Sequence, residues 1–263
     1  MFSEEHKNYL TKLKRGKAIV ITSRLLIAIS FIIIWELLSR FNIINTFLTS
    51  SPYEIFKTIV NLIKVNGLFN HILITTYEIF ISFTLSLIIG FIIASVLWSN
   101  KLIADIIDPY LTILNSLPKV ALGPLIIIWI GANRGSIIFM ALLISTIITI
   151  ISLYNSFINT DSNLITLVKS FKANKLKIYL NVIIPSNINN IISILKVNIS
   201  MCLIGVIMGE LLVSKEGLGY LIMYGSQVFN LNLVMASIFL LATLSYIMYE
   251  IVSLIEKKLT IKN

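Results

Sequence analysis

Residues 159–186 read NTDSNLITLVKSFKANKLKIYLNVIIPS, a polar interruption between two strongly apolar runs. Four lysines fall inside it: Lys169, Lys172, Lys175 and Lys177. Leu164, Leu167, Val168 and Phe171 recur at i, i+3, i+4 and i+7, which lays one apolar stripe along a helix. Thr166, Lys169 and Lys172 fall away from that stripe. Asp161 or Ser162 supplies an N-cap oxygen just ahead of it. A second amphipathic piece runs from about Leu176 to Ile184, and Pro185 is expected to stop it. The lysines alone would only follow the excess of positive charge on the inner side of membrane proteins. A passive connector could be far shorter, so the ordered stripe predicts a short helix presented to the cytoplasm.

The flanking composition sets the class. The chain has 263 residues, is 57% hydrophobic and 13% charged, and its mean hydropathy is +0.94. These values exclude an ordinary soluble domain and require several membrane spans. The net charge of +9 does not describe a nucleic-acid groove, because most basic residues sit at the two ends and in the loop. The single cysteine, Cys202, excludes a disulfide framework within the chain. His6 and His71 are too few and too far apart for a histidine metal cluster, so no metal site is expected.

Taken in order, the apolar runs predict an all-α, polytopic membrane protein with six transmembrane helices. The spans are placed at about 19–38, 79–98, 104–130, 136–155, 191–213 and 231–250, within a single transmembrane domain over 19–258. Residues 1–18, with Lys7, Lys12, Lys14, Arg15 and Lys17, form a basic cytoplasmic N-terminus ahead of an uncleaved first span. Residues 259–263 form a cytoplasmic tail, and 159–186 the cytoplasmic loop. Ser51 and Pro52 start an outer helix with Ile55, Phe56, Ile59, Leu62 and Ile63 on one side. Between 102 and 130, Pro109, Pro118 and Pro124 exclude one smooth helix. Two readings stay open there: a broken helix lining a cavity, or a helix that begins only after Pro118. Gly205 and Gly209 give the G-x-x-x-G spacing that permits close helix approach, and Gly217 and Gly219 punctuate an outer segment. Fifteen basic residues fall inside in this layout and five outside, with Lys119 unassigned among the 21. Both termini are then cytoplasmic.

Several markers now resemble a known family, the inner-membrane permease subunits of ABC importers of the nitrate/sulfonate/taurine (bicarbonate) type. They are Ser51-Pro52; Asn115-Ser116-Leu117-Pro118-Lys119-Val120-Ala121 with Gly123-Pro124-Leu125; the Pro185-closed loop; and Gly217-Leu218-Gly219-Tyr220-Leu221-Ile222 shortly after Glu210. In this order and spacing they cover about Ser50 to Lys258. The resemblance implies a type I importer permease fold in a bacterial plasma membrane. It also implies a second copy of the chain, two ATPase subunits that hold ATP and Mg, and an extracytoplasmic solute-binding protein. The 159–186 loop would then be the coupling segment docked on the ATPase, through Leu164, Thr166, Leu167, Val168, Phe171, Lys172, Ala173 and Pro185. The family pattern departs in places: Thr166 stands where an acid is expected, Val168 at an alanine position, and Lys172 where a glycine is expected. The bend that glycine supplies is expected near Asn174.

The chain itself lacks G-x-x-x-x-G-K-[ST] and so cannot bind ATP by that motif; no catalytic residue and no cofactor of its own are expected. Asn115, Pro118, Lys119, Pro124, Ser145 and Glu210 are the candidate pathway residues. Lys119 either attracts an anionic solute or snorkels to an interface, and Glu210 is read foremost as a surface residue of the outer edge. The alternative class is an ion-gradient-driven secondary transporter or channel, which wants mid-membrane acids and inverted repeats. The expected spans contain no mid-span acid, and no repeat is visible. An intramembrane enzyme is disfavoured because H-E-x-x-H is absent.

Overall fold

A chain this apolar must satisfy its backbone polar groups internally once it is in lipid, and helices do so segment by segment. The computed structural model describes residues 4–65 and 67–260, and among them all regular structure is helical. The order is α1 (Glu4–Arg40), α2 (Thr46–Thr49), α3 (Pro52–Val65), α4 (Leu68–Ser99), α5 (Lys101–Ser116), α6 (Gly123–Ile130) and α7 (Arg134–Ile158). It continues with α8 (Ser162–Ser170), α9 (Lys175–Ile178), α10 (Ile184–Ser186), α11 (Ile188–Val213), α12 (Leu218–Gln227) and α13 (Leu231–Thr260). Among the described residues five helices are long and apolar enough to cross a membrane: Ala18–Arg40, α4, α7, α11 and Leu231–Leu254. The sixth candidate is the pair Lys101–Ser116 and Lys119–Ile130, bent by 82°.

The boundaries differ from the sequence reading where polar residues sit inside a helix. The second span begins at Leu68 rather than 79, after Gly67 in the left-handed region at φ 61°. Thr75 and Glu78, outside the span expected from sequence, are fully buried in its first turns. The expected outer segment therefore divides into α2, α3 and the start of α4. Ser51 caps α3 by accepting the Glu54 N–H at 3.2 Å. Its expected apolar side is split, with Ile55 buried but Phe56 and Ile63 facing out. The basic N-terminus joins the first span as one continuous helix, α1. Residues 1–3 and 261–263, at the two expected tails, lie outside the described residues.

The proline-rich stretch resolves into a break at one place. Pro109 lies inside α5, and the chain turns at Leu117–Pro118 into a short 3₁₀ turn over Lys119–Leu122 before α6. The expected single span over 104–130 is thus two helices meeting at a steep angle. Gly123 sets the corner, since a Cβ there would lie 2.6 Å from Leu212 and 3.2 Å from Met140.

The centre of the bundle is α7, flanked by α4 and α11. Close approach depends on small residues: a Cβ on Gly205 would collide with the Ala141 backbone, and one on Gly209 would lie 2.9 Å from the Ile137 Cα. These glycines therefore serve packing within one chain. A buried polar cluster joins the same three helices. Asn198 Nδ2 donates to Ser86 Oγ at 2.8 Å and to Thr149 Oγ1, while Cys202 Sγ donates to Asn198 Oδ1 at 3.4 Å. Such interhelical bonds contribute about 0.6 kcal/mol each and fix register where apolar contacts alone would allow sliding. α12 and α13 pack as a second layer over Leu68, Leu218, Leu221, Leu233 and Leu241. α1 lies at the margin, and of Ala18–Arg40 only Ser39 is buried; Glu36 ties it to α3 by accepting the Tyr53 N–H at 3.1 Å.

Candidate functional site

The lysine-rich loop is built from short, individually capped helices. Asp161, not Ser162, is the cap of α8, accepting the Asn163 N–H at 2.9 Å. Along α8 the anticipated stripe divides. Leu164, Leu167 and Phe171 are 42%, 56% and 78% exposed, whereas Val168 turns inward with Ile165 and Ala173 onto Ile178, Tyr179, Val182 and Ile183. The loop helix has an apolar residue at 165 as well, and the residues facing the rest of the chain are 165 and 168, one turn apart on the flank beside the exposed stripe. Thr166 is exposed and donates to its own Ser162 carbonyl at 2.8 Å.

The bend expected near Asn174 occurs at Lys172, which itself takes φ 56°. Its N–H reaches the Lys169 carbonyl at 2.9 Å and closes α8, as a glycine would. Asn174 instead caps α9, accepting the Lys177 N–H at 2.9 Å. Pro185, exposed, does not end the second piece. α9, a π-turn over Tyr179–Ile183 and α10 follow without interruption, and the break comes at Asn187. Proline offers no N–H to the Asn181 carbonyl, and the helix widens just upstream, with the Ile184 N–H reaching the Tyr179 carbonyl.

Residues that the sequence reading passed over brace this loop to the bundle. The Tyr179 hydroxyl hydrogen-bonds Ser95 of α4, and its ring meets Phe157 of α7 edge-on at 5.7 Å and Trp98 at 5.1 Å. Burial pushes the Tyr179 hydroxyl above the usual phenol range, with the Ser95 contact opposing the shift. Asn187 accepts from Ser156 Oγ at 2.9 Å and donates to Thr160 Oγ1 at 2.7 Å. Lys175 Nζ donates to the Ser99 carbonyl at 3.2 Å. The result is a rigid loop with one face fastened and one apolar face open.

The proposed pathway residues separate into two places. Asn115, Pro118 and Pro124 are exposed along the bent segment, with Lys119 half-buried among them. Lys119 Nζ donates to the Asn115 carbonyl at 3.1 Å, so its charge caps the C-terminal end of α5. Ser145 and Glu210 lie in the packed interior of the bundle. Ser145 is 0% exposed and donates to the Ala141 carbonyl at 2.7 Å. Glu210, read as a surface residue, is 1% exposed. It accepts from Thr75 Oγ1 at 2.6 Å and from the Gly219 N–H at 2.5 Å.

That corner, at the end of the bundle away from the lysine loop, explains both outer glycines. A Cβ on Gly217 would collide with the Glu210 carboxyl, and one on Gly219 would lie 2.7 Å from the Glu210 Cβ. Gly217 also takes φ 104°. Its N–H donates to His71 Nδ1 at 2.9 Å, and the Leu218 N–H to Thr75 Oγ1 at 2.8 Å. Arg134 pairs with Glu216 at 2.8 Å across the mouth. Beside it an open cleft of about 860 Å³ is lined by Glu54, Lys57, His71, Glu216, Tyr220 and Tyr224, among others.

A multi-helix bundle with a bent, proline-broken segment and a braced loop showing one apolar face is the architecture of a transport permease. Known proteins agree. The profile of the family described as "Binding-protein-dependent transport system inner membrane component" matches residues 86–261. A Haemophilus influenzae protein named probable ABC transporter permease protein is 27% identical over 225 residues, covering 86% of this chain and 91% of that protein. The putative aliphatic sulfonates transport permease protein SsuC of Bacillus subtilis is 27% identical over 235 residues, covering 89% and 85%. The formylaminopyrimidine transport permease protein ThiX of Halalkalibacterium halodurans is 25% identical, covering 85% and 89%. Among solved structures, a chain of the inward-facing MetNI methionine ABC transporter superposes with a TM-score of 0.63 at 15% identity, covering 72% of this chain and 94% of that one. The chain belongs to the family of binding-protein-dependent transport system inner membrane components. It is a multi-pass permease subunit of an ABC importer with the type I fold.

Proposed function

We propose that two copies of this chain form the translocation pathway for a small solute across a bacterial plasma membrane. An external binding protein delivers the solute, and two ATPase subunits inside, which hold ATP and Mg, power the cycle. This subunit itself carries out no catalysis. The observation that carries the reading is the open apolar face of Leu164, Leu167 and Phe171 on a loop whose other face is braced against α4 and α7. A free loop in water gains nothing from such a patch, and an apolar cleft on an ATPase would bury it. Because the brace is rigid, movement of the loop would be passed to the spans, and ATP closure would shift the population toward an outward-open state. The excess of lysine at the loop end supports cytoplasmic termini, and the cleft at the other end is the face a binding protein would meet.

Relatives named for sulfonates and for a formylaminopyrimidine support a small organic solute, an anion or a vitamin precursor. Asn115, Pro118, Lys119 and Pro124 are the residues placed to meet it. Ser145 and Glu210 support the bundle instead.

The test is uptake and ATPase stimulation by loaded binding protein in reconstituted vesicles. Truncating a central aromatic anchor costs about 2 kcal/mol, so Phe171→Ala is expected to weaken the ATPase association roughly thirtyfold and to uncouple hydrolysis from uptake. Thr166→Ala has much less effect. Full stimulation and uptake with Phe171→Ala would remove Phe171 as the anchor. Uptake that persists with the whole patch deleted, driven by an ion gradient, would favour a secondary transporter or channel.

A further inference from the structure

Along α4, Ile88, Ile92, Ser95 and Ser99 recur at i, i+4, i+7 and i+11, which puts them on one face of the helix. Two recesses open along that face. The first, about 360 Å³, lies between α4, α7 and α11 and is walled by apolar side chains only, among them Phe91, Ile92, Leu153 and Ile191. The second, also about 360 Å³, follows toward the lysine loop, with Trp98 and Tyr179 as walls and Lys175 and Leu176 at its rim. Residues 79–100 carry no charge, and at 1.5 Å each they rise about 33 Å, the depth of a hydrocarbon core. The first recess thus falls in the apolar layer. Trp98, Ser99 and Lys175 stand at its loop-side boundary, the level that tryptophan and lysine favour.

That boundary is basic. Lys101, Lys169, Lys172, Lys175 and Lys177 belong to this end of the bundle, against Asp105, Asp108 and Asp161. None of the ion pairs among the described residues uses Lys175. Its ammonium donates to the Ser99 carbonyl at 3.2 Å, which holds it at the mouth of the second recess and leaves two N–H groups for an anion. We propose that the two recesses hold one phospholipid with an anionic headgroup, an acyl chain in the apolar recess and the phosphate beside Lys175 and Trp98. A helix from a second copy suits the space less well. One helical turn is a cylinder about 10 Å across and 5.4 Å long, roughly 400 Å³, so it would lie across the first recess without entering it. An unfilled recess forfeits dispersion contacts on one side, and a flexible chain restores them. The bound lipid would join α4 to α9 beyond the bond between Ser95 and Tyr179 and hold the lysine loop to the membrane surface.

The experiment uses the full chain with Trp35→Phe and Trp129→Phe, which leaves Trp98 as its single tryptophan, in phosphatidylcholine vesicles. Phosphatidylglycerol or phosphatidylcholine brominated on the acyl chain is added as a rising fraction, and quenching of Trp98 fluorescence reports the lipid beside it. The bromines register a lipid and not free phosphate. Brominated phosphatidylglycerol should quench at an about fivefold lower fraction than brominated phosphatidylcholine, the worth of one cation at an anionic surface. Lys175→Gln should remove that preference and Lys175→Arg should keep it, while Lys177→Gln, outside the recess, should leave most of it. Ile92→Phe, which fills the apolar recess, should weaken quenching by either lipid. Equal quenching by the two lipids in the Lys175 chain, a preference as large in Lys175→Gln, or unweakened quenching in Ile92→Phe overturns the proposal. So does a disulfide between copies of Ile92→Cys in a Cys202→Ala background, which would give the recess to the second copy. Loss of the preference once the ATPase is bound overturns it as well, by assigning the mouth to that subunit. None of these readouts depends on transport.

Discussion

At Lys172 a side chain occupies backbone space that glycine fills without strain. Its φ of 56° costs an L-residue about 1 kcal/mol. Lys172→Gly is therefore expected to leave the chain as stable or slightly more so in thermal melts. Lys172→Val, β-branched at the same angle, should lower stability and loosen α8. Gly217 is the stricter case. It combines φ 104° with a Glu210 carboxyl where a Cβ would go, so Gly217→Ala should destabilise by about 1–3 kcal/mol. A melt of Gly217→Ala matching the wild type would mean that the corner can relax.

Between elements, the seam of α7 and α11 depends on Gly205 and Gly209. Gly209→Leu must push the helices apart or force bad rotamers, and overpacking costs typically about 1–3 kcal/mol. The loss should appear in the melting of the single chain, whatever its oligomeric state. An effect confined to dimer cross-linking would show that the seam lies between copies. The loop brace can be tested by Tyr179→Phe, which keeps the ring contacts with Phe157 and Trp98 and removes the bond to Ser95. A loss of about 1 kcal/mol and faster hydrogen exchange over 160–186 are expected. Unchanged exchange would assign the bracing to the apolar contacts alone.

For the whole molecule, the lysine asymmetry predicts that the loop and both termini are cytoplasmic. In a Cys202→Ala background, Lys175→Cys should resist an impermeant thiol reagent in intact cells and react in inverted vesicles. Labelling in intact cells would reverse the orientation. The exposed apolar length of α1 fits lipid or a neighbouring copy, and this orientation decides which leaflet its basic end meets.

The apolar runs by themselves determined that the chain is an all-helical membrane protein. Lipid leaves backbone groups no partner beyond their own segment, so each span is settled by local composition. The caps at Ser51 and at Asp161, one of two candidates, were legible for the same reason: the donor and acceptor lie within one turn. The helix periodicity of the loop was visible too, but not which side of it would be covered. Ile165 and Val168 turn inward only because α9 and the π-turn pack there. Only the tertiary structure decided the sites that depend on distant residues. Thr75 and Glu210 are 135 residues apart in the chain, and Gly205 meets Ala141 on another helix. Glu78 falls one residue outside the expected second span because an acid ends an uncharged run, and a hydropathy pattern cannot register that Thr75, one turn earlier on the same helix, bonds Glu210 of another helix. What placed that turn in the interior was the packing of α4 against α11.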